Sequence, residues 1–418
     1  PETTLADDTL YKQISEKLQE VDAQIPELSY VKNATDQINE ELNKLAIHNQ
    51  EQKIVFDTAS TDTDSVINKI SITSKHGDKN LLIGGEGRLK QIYLSLWASQ
   101  NRANEYSTEV SILCVEEPEA YLHPHQQREL ARYLGNVLNG QVILTSHSPY
   151  IVCENTPNSI IRLFKKDKET YAASEGCSEI IESGFTDFGY RMSIIPAEAF
   201  FADYAVLVEG QSELIFYKTL ANQIGIDLDR LNISILSVEG VGFKVYAKIL
   251  DALNIEWTAR TDNDIMKVQN NEVYRYAGIE RGLSLIEQSF NIDEESQKII
   301  EKNKSKIHGF ASKEQIPQEV LKAAKELREV LVDYDVYVAD VDLETDLCNG
   351  PLKKSLKNKY GKSLSDEALV SKMKAHKAIN MYDFLQNNKK DLAVLKDDYI
   401  SKPLLVAKNF VEDKYGTY

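Results

Sequence analysis

The chain has 418 residues, 42% of them hydrophobic and 27% charged, and a formal net charge of −17. That is the profile of a soluble globular protein with room for two or three domains, and it argues against a molecule coated in positive charge. No apolar run approaches the roughly 18–20 residues of a membrane span, and no signal peptide is visible. Cys114, Cys153, Cys177 and Cys348 lack metal-ligand spacing, and Cys114 sits in an apolar run that suits a buried thiol, so a reducing cytoplasm is the expected setting. The charge is uneven: from Pro351 onward there are 14 Lys, no Arg and 8 Asp or Glu, so this stretch is +6 and the first 350 residues carry −23. A local phosphate-binding surface fits that asymmetry, as does a solvated lysine-rich helical face.

In chain order, residues 5–48 read as helix. Leu10, Ile14, Leu18, Val21 and Ile25 recur at three-to-four spacing, Pro26 interrupts, and Val31, Ile38, Leu42 and Leu45 resume. This is an arm (residues 1–56) suited to dimerisation or to an ordinary surface hairpin. The chain starts at Pro1 and not Met, which fits a piece of a longer protein. Residues 57–80 are polar and read as loops or short strands. Gly84, Gly85 and Gly87 then precede an apolar-periodic stretch, Ile92 to Trp97; a glycine turn before a helix can present backbone N–H groups to phosphate. Ser111 to Glu116 reads as a buried strand ending in consecutive acids, Glu116 and Glu117. A helix from Gln126 to Leu138 follows, then a strand from Gln141 to Leu144 that runs into Thr145-Ser-His147.

This series resembles the second half of an ABC-type ATPase of the Rad50-like and OLD (overcoming lysogenisation defect) kind. The resemblance implies that Gly84, Gly85 and Gly87 are the signature motif reaching a γ-phosphate across a dimer. Glu116 would be the acid near Mg²⁺ (the family more often has Asp), Glu117 the water-activating carboxylate and His147 the switch histidine, with ATP as ligand. No G-x-x-x-x-G-K-[ST] occurs in the sequence; in the family that loop lies upstream, so the ATPase module is expected to be incomplete in this chain. The stretch 57–195 is read as its C-terminal part.

From Tyr204 the pattern alternates strand and helix. Tyr204–Val208, Ile233–Val238, Ile255–Thr261 and Tyr334–Ala339 read as strands, with helices at Ser212–Ile224 and Phe243–Leu253, which predicts a parallel α/β sheet. Residues 265–330 read as a helical insertion. Three strand ends carry acids: Glu209 and Glu213 after the first strand, Asp262 and Asp264 after the third, and Asp340, Asp342, Glu344 and Asp346 after the fourth. So many carboxylates at the carboxyl edge of a sheet repel one another unless cations bind them, and oxygen-only sets suit Mg²⁺ or Mn²⁺.

Glu-Gly-x-Ser-Glu, Gly-Val-Gly and Asp-x-Asp at successive strand ends resemble the Toprim domain. Behind an ATPase half they resemble OLD-family endonucleases, and the stretches at 261–264 and 342–347 are similar to the antiphage members of that family. The expected fold is therefore α/β: an ABC-type ATPase half with a helical arm, then a Toprim domain (196–418) on a parallel Rossmann-like sheet with a helical insertion. The resemblance implies an endodeoxyribonuclease that uses two Mg²⁺ or Mn²⁺ ions. Glu209, Glu213, Asp262, Asp264 and Asp342 would be ligands. Asp340 stands where relatives have Glu or Ser, Glu344 would bind or orient, and Lys377 would face the scissile phosphate. It implies DNA as substrate, oligomers built through the ATPase half, and partners such as a UvrD-like helicase or a retron reverse transcriptase with its RNA–DNA product. Two other readings stay open: a topoisomerase-like enzyme, which needs a tyrosine nucleophile, and a non-catalytic ATP-gated DNA clamp or scaffold.

Overall fold

The computed structural model describes residues 112–137, 141–155, 159–166, 169–173, 197–239, 242–269 and 271–416, the strands at 73–76 and 79–82, and isolated positions between 20 and 32. The arm at 5–48 (those positions aside), the glycines at 84–87 and Cys177 lie outside the described residues. By its internal contacts the chain divides into two compact units, 1–145 and 146–418. No described helix is long and apolar enough to cross a membrane.

In the first unit, β1 (Thr73–His76) and β2 (Lys79–Leu82) form an antiparallel hairpin. Strand β3 (Ile112–Glu116) leads through helix α1 (Pro124–Val137) to β4 (Gln141–Thr145), which pairs with β3 in parallel so that Glu116 lies opposite Thr145. Buried Leu122, Leu130 and Leu134 pack against Leu113 and Leu144 on one face of this pair. The other face is open: Ile112 and Ile143 are 54% and 51% exposed, and Cys114 is exposed as well. Among the described residues, the strand expected to be buried is thus covered on one side only. Alternation along a strand sends successive side chains to opposite faces, and α1 takes just one of them.

The second unit opens with α2 (Pro149–Val152), capped by Ser148, whose Oγ accepts from the Tyr150 N–H at 3.2 Å. A hairpin of β5 (Leu163–Lys166) and β6 (Glu169–Ala172) follows. Then come β7 (Tyr204–Val208), α3 (Gln211–Gln223), β8 (Ile233–Ser237), α4 (Phe243–Ala252) and β9 (Glu256–Thr261). Beyond them lie β10 (Ile265–Lys267), β11 (Tyr274–Tyr276), α5 (Ala277–Ser289), α6 (Glu294–Asn303), β12 (His308–Phe310), α7 (Gln318–Asp333) and β13 (Val336–Val338). Helices α8 (Leu343–Asn349), α9 (Lys353–Tyr360), α10 (Asp366–Ala375), α11 (Lys377–Asn388) and α12 (Lys402–Tyr415) complete the unit.

Strands β13, β9, β7 and β8 stand side by side in that order, and every pairing is parallel. Ala205 through Val208 are wholly buried, as the continuous apolar run of a strand covered on both faces requires. Ala205, Leu207, Leu236, Trp257, Ala259, Val336 and Val338 share a core with Phe243, Leu250, Ile279, Leu283, Leu327 and Leu331 from α4, α5 and α7. The opposite face meets α12, where the Phe410 ring lies 5.3 Å from that of Tyr204. At the foot of β7, Asp203 accepts hydrogen bonds from Lys414 Nζ (3.0 Å), the Tyr415 hydroxyl (2.8 Å) and Asn232 Nδ2 (2.9 Å).

The insertion differs from the helical subdomain expected at 265–330. It contains a three-stranded antiparallel sheet, β10-β11-β12, and its helices α5 and α7 form part of the main core. Strands of three residues are too short to show an alternation. The apolar residues of α5 and α7 at three-to-four spacing need a face to cover, and the parallel sheet supplies it.

Candidate active site

Because β7, β9 and β13 are adjacent and parallel, their carboxyl ends open on the same edge, where ligands collect in α/β sheets. Register places Val208 opposite Arg260 and Thr261 opposite Val338. The chain therefore delivers Glu209, Asp262 and the 340–346 loop side by side. Glu209 Oε1 accepts from Thr261 Oγ1 at 2.5 Å and from the Asp262 N–H at 2.9 Å, and it is also bound by Arg281 Nη1. Arg281 Nη2 donates to Asp264 Oδ2 at 3.0 Å.

Glu213, in the first turn of α3, is 3% exposed. Burial first, then the nearby charges of Asp262 and Glu344, push its carboxyl up to about 7. Burial and then Glu209 push Asp262 up to about 6, against the pull of Arg260 and Lys377. Asp342 caps α8, its Oδ1 accepting from the Thr345 N–H at 2.8 Å while Lys374 Nζ sits 2.5 Å from Oδ2. Burial opposes its ionisation, but those two partners outweigh it and hold the carboxyl below its ordinary value. Glu344 is fully buried between Ser212 Oγ, 2.6 Å from Oε1, and Lys377 Nζ, 3.1 Å from Oε2. Lys377 also lies 3.5 Å from Asp262 Oδ2. Burial works to neutralise this lysine, yet Glu344 and Asp262 raise its pKa well above the ordinary value and keep it charged.

Of the residues singled out in the sequence, Glu209, Glu213, Asp262, Asp264, Asp342, Glu344 and Lys377 come together. Asp340 does not: its side chain is 78% exposed and turned to Arg328, 2.7 Å away on α7. Strand β13 stops at Val338, so residue 340 has already left the sheet. Glu116 and Glu117 stand at the end of β3, both exposed, with the Glu117 N–H donating to the Thr145 carbonyl at 3.1 Å. His147, two residues past β4, is exposed.

Sequence reasoning missed four participants. Arg260 is 2% exposed beneath the acids, 3.7 Å from Asp262 and 3.4 Å from Asp346. Burial acts to lower its pKa, but Tyr217, Asp262, Asp346 and Glu213 outweigh that and raise it. A charged residue in the middle of a buried strand, between Ala259 and Thr261, was the available signal. Ser212 was visible in Glu-Gly-x-Ser-Glu, without a role. Arg281 and Lys374 gave none, since each reaches its partner across a fold and not along the sequence.

Six carboxylates (Glu209, Glu213, Asp262, Asp264, Asp342, Glu344) are thus met by four cations, Arg260, Arg281, Lys374 and Lys377. Asp262 Oδ1 is buried with no hydrogen-bond partner. An oxygen-only donor set with excess negative charge and an unsatisfied buried oxygen fits a hard divalent cation. Among the described residues no three such side chains close on a common point; the protein's own arginines and lysines stand between them.

A family model for the TOPRIM domain of overcoming-lysogenization-defect-like proteins matches residues 200–264, and one for an AAA ATPase domain matches residues 3–152. Endonuclease GajA of Bacillus cereus (strain VD045) is 24% identical over 384 residues, 86% of this chain and 64% of that protein. The OLD nuclease of Thermus scotoductus is 29% identical over 170 residues, 38% of this chain and 32% of that protein. The chain spans less than two thirds of the length of either relative. A solved C-terminal region of the Burkholderia pseudomallei OLD protein aligns with 50% of this chain and 99% of its own at 23% identity, with a TM-score of 0.32, a level that decides nothing by itself. An AAA ATPase match ahead of a TOPRIM match whose parallel sheet gathers acids at its carboxyl edge, together with the GajA and OLD nuclease relatives, makes the chain similar to the OLD-family ATPase–Toprim proteins, GajA among them.

Proposed function

We propose that the chain provides a divalent-cation-dependent endodeoxyribonuclease, governed by nucleotide at the ATPase module and acting in antiphage defence. The convergence of acids from the ends of β7, β9 and β13 around Lys377 carries this reading, and the naming of the relatives as endonuclease and nuclease supports it. Glu209, Glu213, Asp262, Asp264 and Asp342 would hold two Mg²⁺ or Mn²⁺ ions. Bound there, such ions supply positive charge that makes a water acidic and stabilises the leaving 3′-oxygen of a phosphodiester. Glu344, clamped between Ser212 and Lys377, orients that lysine. Lys377, held charged at the first turn of α11, offsets charge gathering on the phosphate in the transition state. Lys374 fixes Asp342. The lysine-rich surface beyond residue 350 would hold the DNA backbone without reading sequence.

Of the tyrosines under this edge, Tyr217 donates its hydroxyl to the Ile400 carbonyl at 2.9 Å and Tyr399 to that of Val338 at 3.4 Å. Burial raises both pKa values, which speaks against a covalent topoisomerase-like step from either. Glu116, Glu117, His147 and the glycines at 84–87 would serve ATP, and oligomers would form through that half. A UvrD-like helicase or a reverse transcriptase with its RNA–DNA product would be the partner class.

The test is cleavage of supercoiled plasmid with Mg²⁺, Mn²⁺ or chelator, comparing wild type with Asp262→Ala and Lys377→Ala. Loss of about 10²-fold or more in each variant is expected, and an intact plasmid with every metal would leave the clamp reading in place. Equal rates with no nucleotide, ATP and ADP would remove nucleotide control.

A further inference from the structure

We infer that Arg281 is a built-in counter-cation of the acid cluster that competes with the divalent ion for Glu209 Oε1 and for Asp264. The inference rests on reading the carboxylates as a cation site. Arg281 joins acids from two strand ends, binding Glu209 through Nη1 and Asp264 through Nη2 at 3.0 Å, and it also reaches Thr261 Oγ1 at 2.5 Å. Glu209 Oε1 already accepts from Thr261 and the Asp262 N–H, so with Arg281 it carries three donors. A carboxylate oxygen has about two lone-pair sites. That oxygen has no capacity left for an ion until a donor leaves, and only Arg281 of the three is a side chain reaching in from the insertion.

Helix α5 is built to bring it there. The Ala277 N–H donates to the Asp264 carbonyl at 2.8 Å, so the helix begins on the loop that carries Asp262 and Asp264. A Cβ at residue 278 would run into the Asp262 carbonyl oxygen, and one at 282 would meet Leu331. Gly278 and Gly282 therefore let α5 settle against loop and core, with Arg281 between them in sequence. Its side chain is 29% exposed and that of Asp264 39%, so the pair is open to solvent and within reach of an incoming ion. A guanidinium spreads one positive charge over a planar fork, whereas a divalent ion brings two charges to a point. The acids gain more from the ion, and the arginine keeps them assembled before it arrives.

The experiment is Mn²⁺ titration of the full chain by calorimetry, with thermal melts in the absence of Mn²⁺ and at saturation, for wild type, Arg281→Gln, Arg281→Lys and Glu209→Gln. Arg281→Gln is expected to bind Mn²⁺ about five- to tenfold more tightly, the order set by removing one part-exposed ion pair. Its melting temperature should fall below wild type without the ion and draw level at saturation, with Arg281→Lys between the two. Equal or weaker binding by Arg281→Gln overturns the inference, and so does a melting deficit that persists at saturation, which marks a purely structural arginine. Glu209→Gln separates this from the reading beneath it. If it binds Mn²⁺ as wild type does, the carboxylates are not the ligands and both ideas fall. If it loses the ion while Arg281→Gln gains nothing, only the role of Arg281 falls.

Discussion

Two regions of this protein start from the same sequence pattern, an apolar strand that ends in acids, and arrive at different physics. At the end of β3, Glu116 and Glu117 are exposed, and the described residues cover the strand beneath them on one face. At the ends of β7, β9 and β13 the sheet is covered on both faces, and Glu213, Asp262, Asp342 and Glu344 are buried with it. In the first region the acids face water, which weakens charge–charge interactions. In the second they are coupled to one another, to buried Arg260 and to the part-exposed Arg281, Lys374 and Lys377, so a change at one is felt by its neighbours. A strand-end motif tells where acids will stand; the layers around the strand decide how much energy is stored there.

The sharpest way to break this contrast is to remove the buried cation. Arg260→Met should leave Asp262, Asp346 and Glu213 uncompensated and cost about 3–5 kcal/mol, read by chemical denaturation. Next comes proton linkage. Glu213 and Asp262 hold their protons to about 7 and about 6, above the ordinary carboxylate range, so the folded chain binds protons more tightly than the unfolded one. Stability should be full at low pH within this contribution and should fall as pH rises through about 4 to 7, by on the order of 3 kcal/mol. Melts across that range without divalent ions check the sign, and added Mg²⁺ should restore what the rise in pH removed. Gly278→Ala is smaller: pressing a methyl against the Asp262 carbonyl should cost about 2 kcal/mol, seen as a lower denaturation midpoint. Glu117→Gln should change stability by less than about 0.5 kcal/mol. A large loss there would mean that the β3 end is as coupled as the other.

Much of the second unit was legible because its signals are local. The run Tyr204–Val208 is the observed strand residue for residue, and the helices after it begin within a residue of where the pattern starts. The acids at the three strand ends were readable for the same reason. What the sequence hid depends on distant partners. Arg281 meets Glu209 across 72 residues, Lys374 meets Asp342 across 32, and Asp340 is drawn away by Arg328. Neither did the burial of β3 follow from its apolar run, since hydrophobic residues also line strands with one open face.

The clasp at Asp203 bears on how the sheet is made. Lys414 and Tyr415 reach it from 211 and 212 residues downstream, and α12 is the helix that seals one face of the central strand. During synthesis at about 5–20 residues per second, β7 therefore waits some ten seconds or more with that face unsealed. Contacts of such sequence separation also slow the closing step itself. The acid edge is built on a strand that completes late, so loss of α12 should act on folding before it acts on chemistry.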